Sequence, residues 1–357
     1  MADILSRLLA ERDWLLADGA TGTNLFALGL QHGDSPELWN LAHPDRVRQH
    51  YRSFIDAGSD IFLTNTFGGT RHRLKLHGAE DRVHEINKRA AELARAEADA
   101  TDRPVVVAGS MGPTGELFQP LGALSFEDGK AAFAEQAAGL AEGGADVLWI
   151  ETLSAVDELQ AAVAGASTVG LPVTCTLSFD TNGRTMMGVM PSQLGQLVHE
   201  MAPPPVAYGG NCGVGASELI VALQNMNKAR QAGDILIAKS NCGIPEWVGD
   251  RIEYSGTPEL MADYARIARD SGARIIGGCC GTTPDHVRAM RDALEAHTPG
   301  TPPEVDDVVA RLGEISYGAK EQAESEDAGE MPAGEAARAG GRRRRGGRAA
   351  RREESDG

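Results

Sequence analysis

Eight short apolar runs punctuate the chain, most of them ending in glycine or a polar residue. They are Leu15–Asp18, Asp60–Thr66, Val105–Ser110, Val147–Glu151, Val173–Ser178, Val206–Asn211, Ile235–Ser240 and Arg274–Gly278. They are continuous rather than alternating, the pattern of parallel strands covered on both faces. Between them lie segments with apolar residues at helical spacing. Pro44 and Asp45 open one of these, with Val47, Tyr51, Phe54 and Ile55 along one side. Proline suits a first helical position because the N–H there has no intrahelical partner. Val83, Ile86, Ala90 and Leu93 mark a second within 81–100, and 126–142, 155–166, 191–201, 217–229, 258–271 and 284–296 read the same way. Strand–helix alternation repeated eight times predicts an α/β fold of the (β/α)8 TIM-barrel type over residues 1–300. A doubly wound open sheet would have fewer strands and a glycine-rich phosphate turn near its start, which this sequence lacks. Past Pro302 the pattern thins to one amphipathic stretch, Val305–Tyr317, predicted as a C-terminal helix within 301–318. Residues 319–357 are acidic and then Arg/Gly-rich; with little apolar surface to bury, they are expected to form a disordered tail.

Composition narrows the function. Of 357 residues, 42% are hydrophobic and 24% charged, enough to bury a large core. The formal charge is −17, although residues 338–357 carry eight Arg against three acids. The barrel region is therefore strongly acidic, which argues against nucleic-acid binding by the folded part. The Arg-rich tail leaves RNA or an acidic partner protein as an alternative of another class. No apolar run reaches the ~18–20 residues of a membrane span. The first residues are acidic where a secretion signal is basic, so a cytoplasmic location is expected.

The five cysteines are Cys175, Cys212, Cys242, Cys279 and Cys280, an odd number that does not read as a disulfide framework. Cys279 and Cys280 are adjacent, just past the eighth predicted strand, among Gly277, Gly278 and Gly281. Neighbouring side chains on a straight strand point to opposite faces, but a glycine-supported turn lets both sulfurs face one centre. Cys212 ends the sixth predicted strand, and only one strand separates the sixth from the eighth in a closed barrel. The C-terminal ends of barrel strands are where active sites are built. Three converging thiolates favour zinc with one position left open, whereas structural zinc sites usually take four protein ligands. Such a centre deprotonates an incoming thiol, and its three resident thiolates leave that sulfur electron-rich enough to attack carbon. Cys175 reads as a small core hydrophobe, and Cys242 more weakly so. A vicinal disulfide is the strained alternative.

The segments DGATGTNLF (18–26), LTNTFGGT (63–70), GSMGPTGE (109–116), WIET (149–152), GGNCG (209–213) and GGCCGTTPDH (277–286) resemble the homocysteine S-methyltransferase family. That family includes betaine–homocysteine methyltransferases and the homocysteine-binding barrel of cobalamin-dependent methionine synthase. The resemblance spans roughly 10–297. It implies one Zn2+ per chain held by Cys212, Cys279 and Cys280, homocysteine as the thiol substrate and methionine as the product. Asp18 and Glu151 match the family's substrate-binding carboxylates, acceptors suited to an ammonium group. Backbone amides around Gly19, Ala20 and Thr21 are candidates for the substrate carboxylate. Asn241 matches an asparagine near the metal and is a candidate for its open position; a turn-forming role is the plainer alternative. FDTNGRTMMG (179–188) and CCGTTP are more like the cobalamin-dependent branch. No cobalamin module is recognisable here, so the methyl group is expected from a separate methyl-corrinoid protein, with methylcobalamin entering only through that partner. Betaine or another onium donor is the runner-up; Phe67, Phe118 and Phe179 are the aromatics available for its cage. A non-catalytic zinc- or thiol-binding regulator is the remaining alternative.

Overall fold

The computed structural model describes residues 3–243, 245–248 and 251–324; the rest of the tail, and the disorder expected of it, lie outside the described residues. Eight parallel strands form one sheet: β1 (Leu15–Leu16), β2 (Ile61–Leu63), β3 (Val106–Met111), β4 (Val147–Leu153), β5 (Val173–Leu177), β6 (Ala207–Cys212), β7 (Leu236–Ser240) and β10 (Ala273–Gly278). Between β7 and β10 an antiparallel hairpin is inserted, β8 (Pro245–Val248) and β9 (Arg251–Tyr254). The sheet runs β1-β10-β7-β6-β5-β4-β3-β2. Its two ends meet where Ala17 pairs with Ile61 and the Asp60 N–H donates to the Leu16 carbonyl at 2.7 Å. The sheet is thus the barrel that the apolar runs predict, with strand starts within a residue or so of their expected places.

The helices between strands fall where helical spacing puts them, among them Pro44–Asp56, Val83–Asp99, Phe126–Glu142, Ala216–Ala229, Pro258–Asp270 and Pro284–Glu295. Their apolar sides cover the outside of the sheet in one large core. A second core fills the barrel itself. Leu15, Ile61, Val106, Val147, Ile237 and Ile275 meet there, together with Leu5, Leu8 and Leu9 of an N-terminal helix, Ile4–Glu11. Those three leucines recur at helical spacing, so one face of that helix plugs the lower end of the barrel.

The C-terminal region departs from expectation. The helix predicted over 305–317 stops at Leu312, where Gly313 turns with φ +107. A second helix, Tyr317–Glu324, follows. It takes in six residues expected to be tail, because Ala319 is buried against the turn at Gly183 and Gln322 donates to the Asn182 carbonyl. Among the described residues no helix is long and apolar enough to cross a membrane.

His50 is an unusual core residue. It is 2% exposed, packs edge-on against Phe54, and among the described residues neither ring nitrogen has a hydrogen-bond partner. Burial pushes its pKa down from 6.5 to about 4. Between those values the unfolded chain binds a proton that the folded chain does not, so stability falls as pH falls through that window. The loss is about 3 kcal/mol. Urea unfolding at neutral and mildly acid pH is expected to resolve this slope, and His50→Leu to remove most of it.

Candidate metal centre and substrate cavity

Alternation along the strands builds the site. On β4, Val147 and Trp149 point into the barrel, so Glu151 does too. By the same rule Ser110 follows Val106 and Ala108 on β3, and Lys239 follows Ile237 on β7. Cys279 continues the inward series of Ile275 just beyond β10. These side chains form the top layer of the barrel interior, at the C-terminal ends of the strands. They line a cavity of about 340 Å³ together with Gly19, Ala20, Thr21, Glu37, Phe26, Phe67, Cys212 and Cys280.

Cys212 and Cys280 would face outward if their strands ran straight. Instead Cys212 has φ +60, a left-handed conformation rare outside glycine, and this swings its sulfur towards the cavity. β10 ends at Gly278, ahead of the cysteine pair, and Gly281 turns with φ +78. A side chain on Gly281 would collide with the ring of Tyr254, so glycine is required there for space as well as for φ. The Cys212 and Cys280 sulfurs stand 3.9 Å apart, and all three sulfurs lie within 4.8 Å of one another. Among the described residues this is the one cluster of three or more His, Cys, Asp or Glu side chains arranged to hold a metal ion. Cys175 is buried inside β5, and Cys242 donates its thiol to the Gly256 carbonyl at 3.2 Å.

The cysteine loops are held by their backbones. The Cys279 N–H donates to the Ser240 carbonyl at 2.6 Å, and the Cys242 N–H to the Cys280 carbonyl at 2.9 Å. Asn241 spends both ends of its amide: Nδ2 donates to the Gly213 carbonyl at 2.6 Å and Oδ1 accepts from the Cys280 N–H at 3.1 Å. It therefore ties the Cys212 loop to the Cys280 loop. The neighbouring Asn211 accepts from the Thr152 N–H at 2.9 Å and points Nδ2 at the Cys279 sulfur, 3.7 Å away.

The donor set fits zinc. Sulfurs at the corners of a tetrahedron with ~2.3 Å metal–sulfur bonds stand about 3.8 Å apart, close to the 3.9 Å between the Cys212 and Cys280 sulfurs. As protein alone, the trio behaves as a crowded acid. Hydrogen bonds from the Cys212 and Cys279 thiols pull Cys280 down to about 3. The Cys212 thiol, hydrogen-bonded to those same neighbours, is pushed far up. Like charges so close repel one another, so three thiolates together need a cation among them.

The charged wall beside the sulfurs differs from the expectation. Asp18 is 1% exposed and does not line the cavity. Its Oδ2 accepts from the Leu63 N–H at 2.8 Å and its Oδ1 from Lys239 Nζ at 2.7 Å. Burial raises the Asp18 pKa, with the Lys239 ammonium pulling the other way. Burial likewise works against the charged form of Lys239, but Asp18 and Glu151 outweigh it and the net shift is upward. Glu151 does line the cavity and accepts a short hydrogen bond from the Ser110 hydroxyl. Burial, opposed by Lys239, takes its pKa up to about 7. Of the expected carboxylate-binding amides, that of Ala20 is already bound to the Thr282 carbonyl at 3.1 Å. Gly19 and Ala20 form cavity wall. Sequence reading passed over Lys239. The signal was there, since a lysine inside the apolar run ILIAK breaks the rule that charged residues avoid buried strands.

The aromatic cage considered for an onium donor is not assembled from the three candidates. Phe67 lines the cavity mouth beside Phe26, but Phe118 packs away with Leu124 and Ala161, and Phe179 belongs to the outer core.

Three thiols thus converge at the C-terminal mouth of a parallel α/β barrel, beside a cavity that Glu151 and Lys239 line. The family model for homocysteine S-methyltransferases matches residues 15–294, and the chain belongs to that family. Its curated relatives include methionine synthase of Mycobacterium leprae, 31% identical over 317 residues, and methionine synthase of Mycobacterium tuberculosis, 30% identical over 311 residues. These matches cover 84% and 82% of this chain but 26% and 25% of the relatives, so the chain spans about a quarter of their length. Among solved structures, the homocysteine methyltransferase MmuM from Escherichia coli in its oxidized form is similar with TM-score 0.69 and 26% identity, over 82% of this chain and 99% of that one. The metallated form of the same protein gives TM-score 0.68 and 26% identity, over 81% and 99%.

Proposed function

We propose that this chain methylates the thiol of homocysteine to form methionine, with zinc held by Cys212, Cys279 and Cys280. The observation that carries the reading is the convergence of three sulfurs on one point beside a cavity of amino-acid size. Zinc in that site would supply the positive charge that keeps the acceptor thiol deprotonated and nucleophilic at neutral pH. The chain's own residues do the rest. Glu151 offers its second carboxylate oxygen to the acceptor's ammonium group, a charge-assisted bond in a water-poor site. Ser110 fixes the rotamer of Glu151 through the first oxygen. Asn241 and Asn211 keep the cysteine loops in register, so the acceptor sulfur is held still while the methyl carbon approaches within about 3–3.5 Å.

For the donor we favour a methyl group carried on a corrinoid protein. The resemblance of 179–188 and CCGTTP to the cobalamin-dependent branch supports this, as do the methionine synthase relatives. The mouth of the cavity carries Phe26 at 43% and Phe67 at 37% exposure, apolar surface that a bulky carrier would cover. The test is methionine formation by the purified, zinc-loaded chain with homocysteine and one donor at a time: methyl-corrinoid protein, betaine, or a methyl sulfonium. Turnover is expected with the first. Full turnover with betaine alone would overturn the donor assignment, and no turnover with any donor would overturn the activity.

A further inference from the structure

Lys239 is 1% exposed, yet it lines the substrate cavity. An ammonium group has three N–H donors. One of them goes to Asp18 Oδ1 at 2.7 Å, and among the described residues Asp18 is its only hydrogen-bond partner. The nitrogen also sits over the face of Trp149, 5.5 Å from the ring centroid, an attraction that uses no hydrogen bond. A buried cation with unspent donors facing a cavity is costly unless a ligand completes its shell.

The pocket's charges are arranged to match. Asp18 and Lys239 neutralise each other within the wall, and Asp18 is fixed from its other side by the Leu63 N–H. Glu151 is left as the acidic acceptor and Lys239 as the basic donor, on neighbouring parts of one small cavity. This is the complement of a zwitterion. The Asp18 oxygen where an ammonium group was expected to bind already holds one, that of Lys239. The Ala20 amide expected to receive a carboxylate is bound to Thr282.

We infer that Lys239 binds the carboxylate of the acceptor amino acid, while Glu151 takes its ammonium and the sulfur turns to the cysteine trio. The inference rests on the proposed homocysteine chemistry. It makes the cavity selective for thiols that carry both a carboxylate and an amine, and Asp18 becomes a positioning residue acting through Lys239.

The test uses the product, whose thioether binds without a free thiol. Calorimetry on the full chain compares methionine with 3-(methylthio)propylamine, which is methionine without its carboxylate. The wild-type chain is expected to bind methionine at least roughly 30-fold more tightly. In Lys239→Met, methionine binding weakens roughly 30- to 100-fold while the amine changes less than about threefold. Removing Lys239 alone strands the Asp18 carboxylate, so Asp18→Asn/Lys239→Met is measured against Asp18→Asn as a second pair, and the same selective loss is expected. Equal wild-type binding of methionine and the amine, or a loss that falls equally on both ligands in the variants, overturns the role of Lys239 and leaves the methionine reading intact. A wild-type chain that binds neither methionine nor homocysteine overturns both.

Discussion

Serine in place of Cys212, Cys279 or Cys280, one at a time, is expected to leave the purified chain with little bound zinc and to lower methyl transfer at least about a thousandfold. Each sulfur is a third of the proposed ligand set, and two thiolates alone would bind zinc far more weakly than three. Cys242→Ser is the internal control. Its thiol sits two residues from the Ser240 carbonyl that anchors Cys279, but it donates to the Gly256 carbonyl rather than facing the other sulfurs. That variant should keep its metal. Metal content by elemental analysis, read beside activity, separates ligand loss from misfolding, and near-normal zinc in all three Ser variants would dismiss the trio as the site.

The second large effect belongs to Asp60, at the opposite end of the barrel. Its carboxylate is fully buried and accepts from the Leu16 N–H at 2.9 Å, from Arg12 at 2.7 Å and from Arg291 at 2.8 Å. It therefore joins the connection after the N-terminal helix, the seam between β1 and β2, and the last barrel helix. Asp60→Ala leaves a backbone donor without its partner and takes the buried carboxylate from three guanidiniums, those of Arg12, Arg291 and, at 3.5 Å, Arg103, of which Arg291 keeps its ion pair with Glu295. Breaking a buried pair from one side costs about 3–5 kcal/mol. Arg12 and Arg291 keep 35% and 21% of their side chains in water, which holds the cost towards the lower end. The expected readout is a fall in thermal midpoint of roughly 5–10 °C, with Asp60→Asn recovering part of it through the Leu16 bond. An unchanged midpoint would mean that closure at this seam does not depend on the buried carboxylate.

Much of the architecture could be read from the sequence because the physics behind it is local. Strands covered on both faces need continuous apolar runs, and helices on the outside need a stripe at 3.6-residue spacing; both patterns stand in the chain in order. The N-terminal plug, Ile4–Glu11, was overlooked although Leu5, Leu8 and Leu9 carry its face, because a short stretch ahead of the first strand has no place in a simple strand–helix alternation. The hairpin β8–β9 is an insertion between β7 and its helix, and such insertions leave the repeat on either side intact.

At the site, residue chemistry was legible and pairing was not. Adjacent cysteines ringed by glycines identify themselves, and Cys212 announces its position at a strand end. That Cys212 adopts φ +60 to reach them is a property of the folded loop. Asp18 stands just past β1 and Glu151 two residues before the end of β4, but Asp18 is kept out of the cavity lining by its pairing with Lys239, 221 residues further along the chain. Such a long-range ion pair has no periodicity to betray it. The only warning was compositional, a lysine where the strand should have been apolar.

The most direct test of the central claim is X-ray absorption at the zinc edge on the purified full chain, before and after homocysteine is added. The account predicts a stoichiometric ion with three sulfur neighbours at ~2.3 Å and one lighter neighbour, changing to four sulfurs when homocysteine binds. A metal-free chain, or a coordination shell that ignores the added thiol, would contradict it.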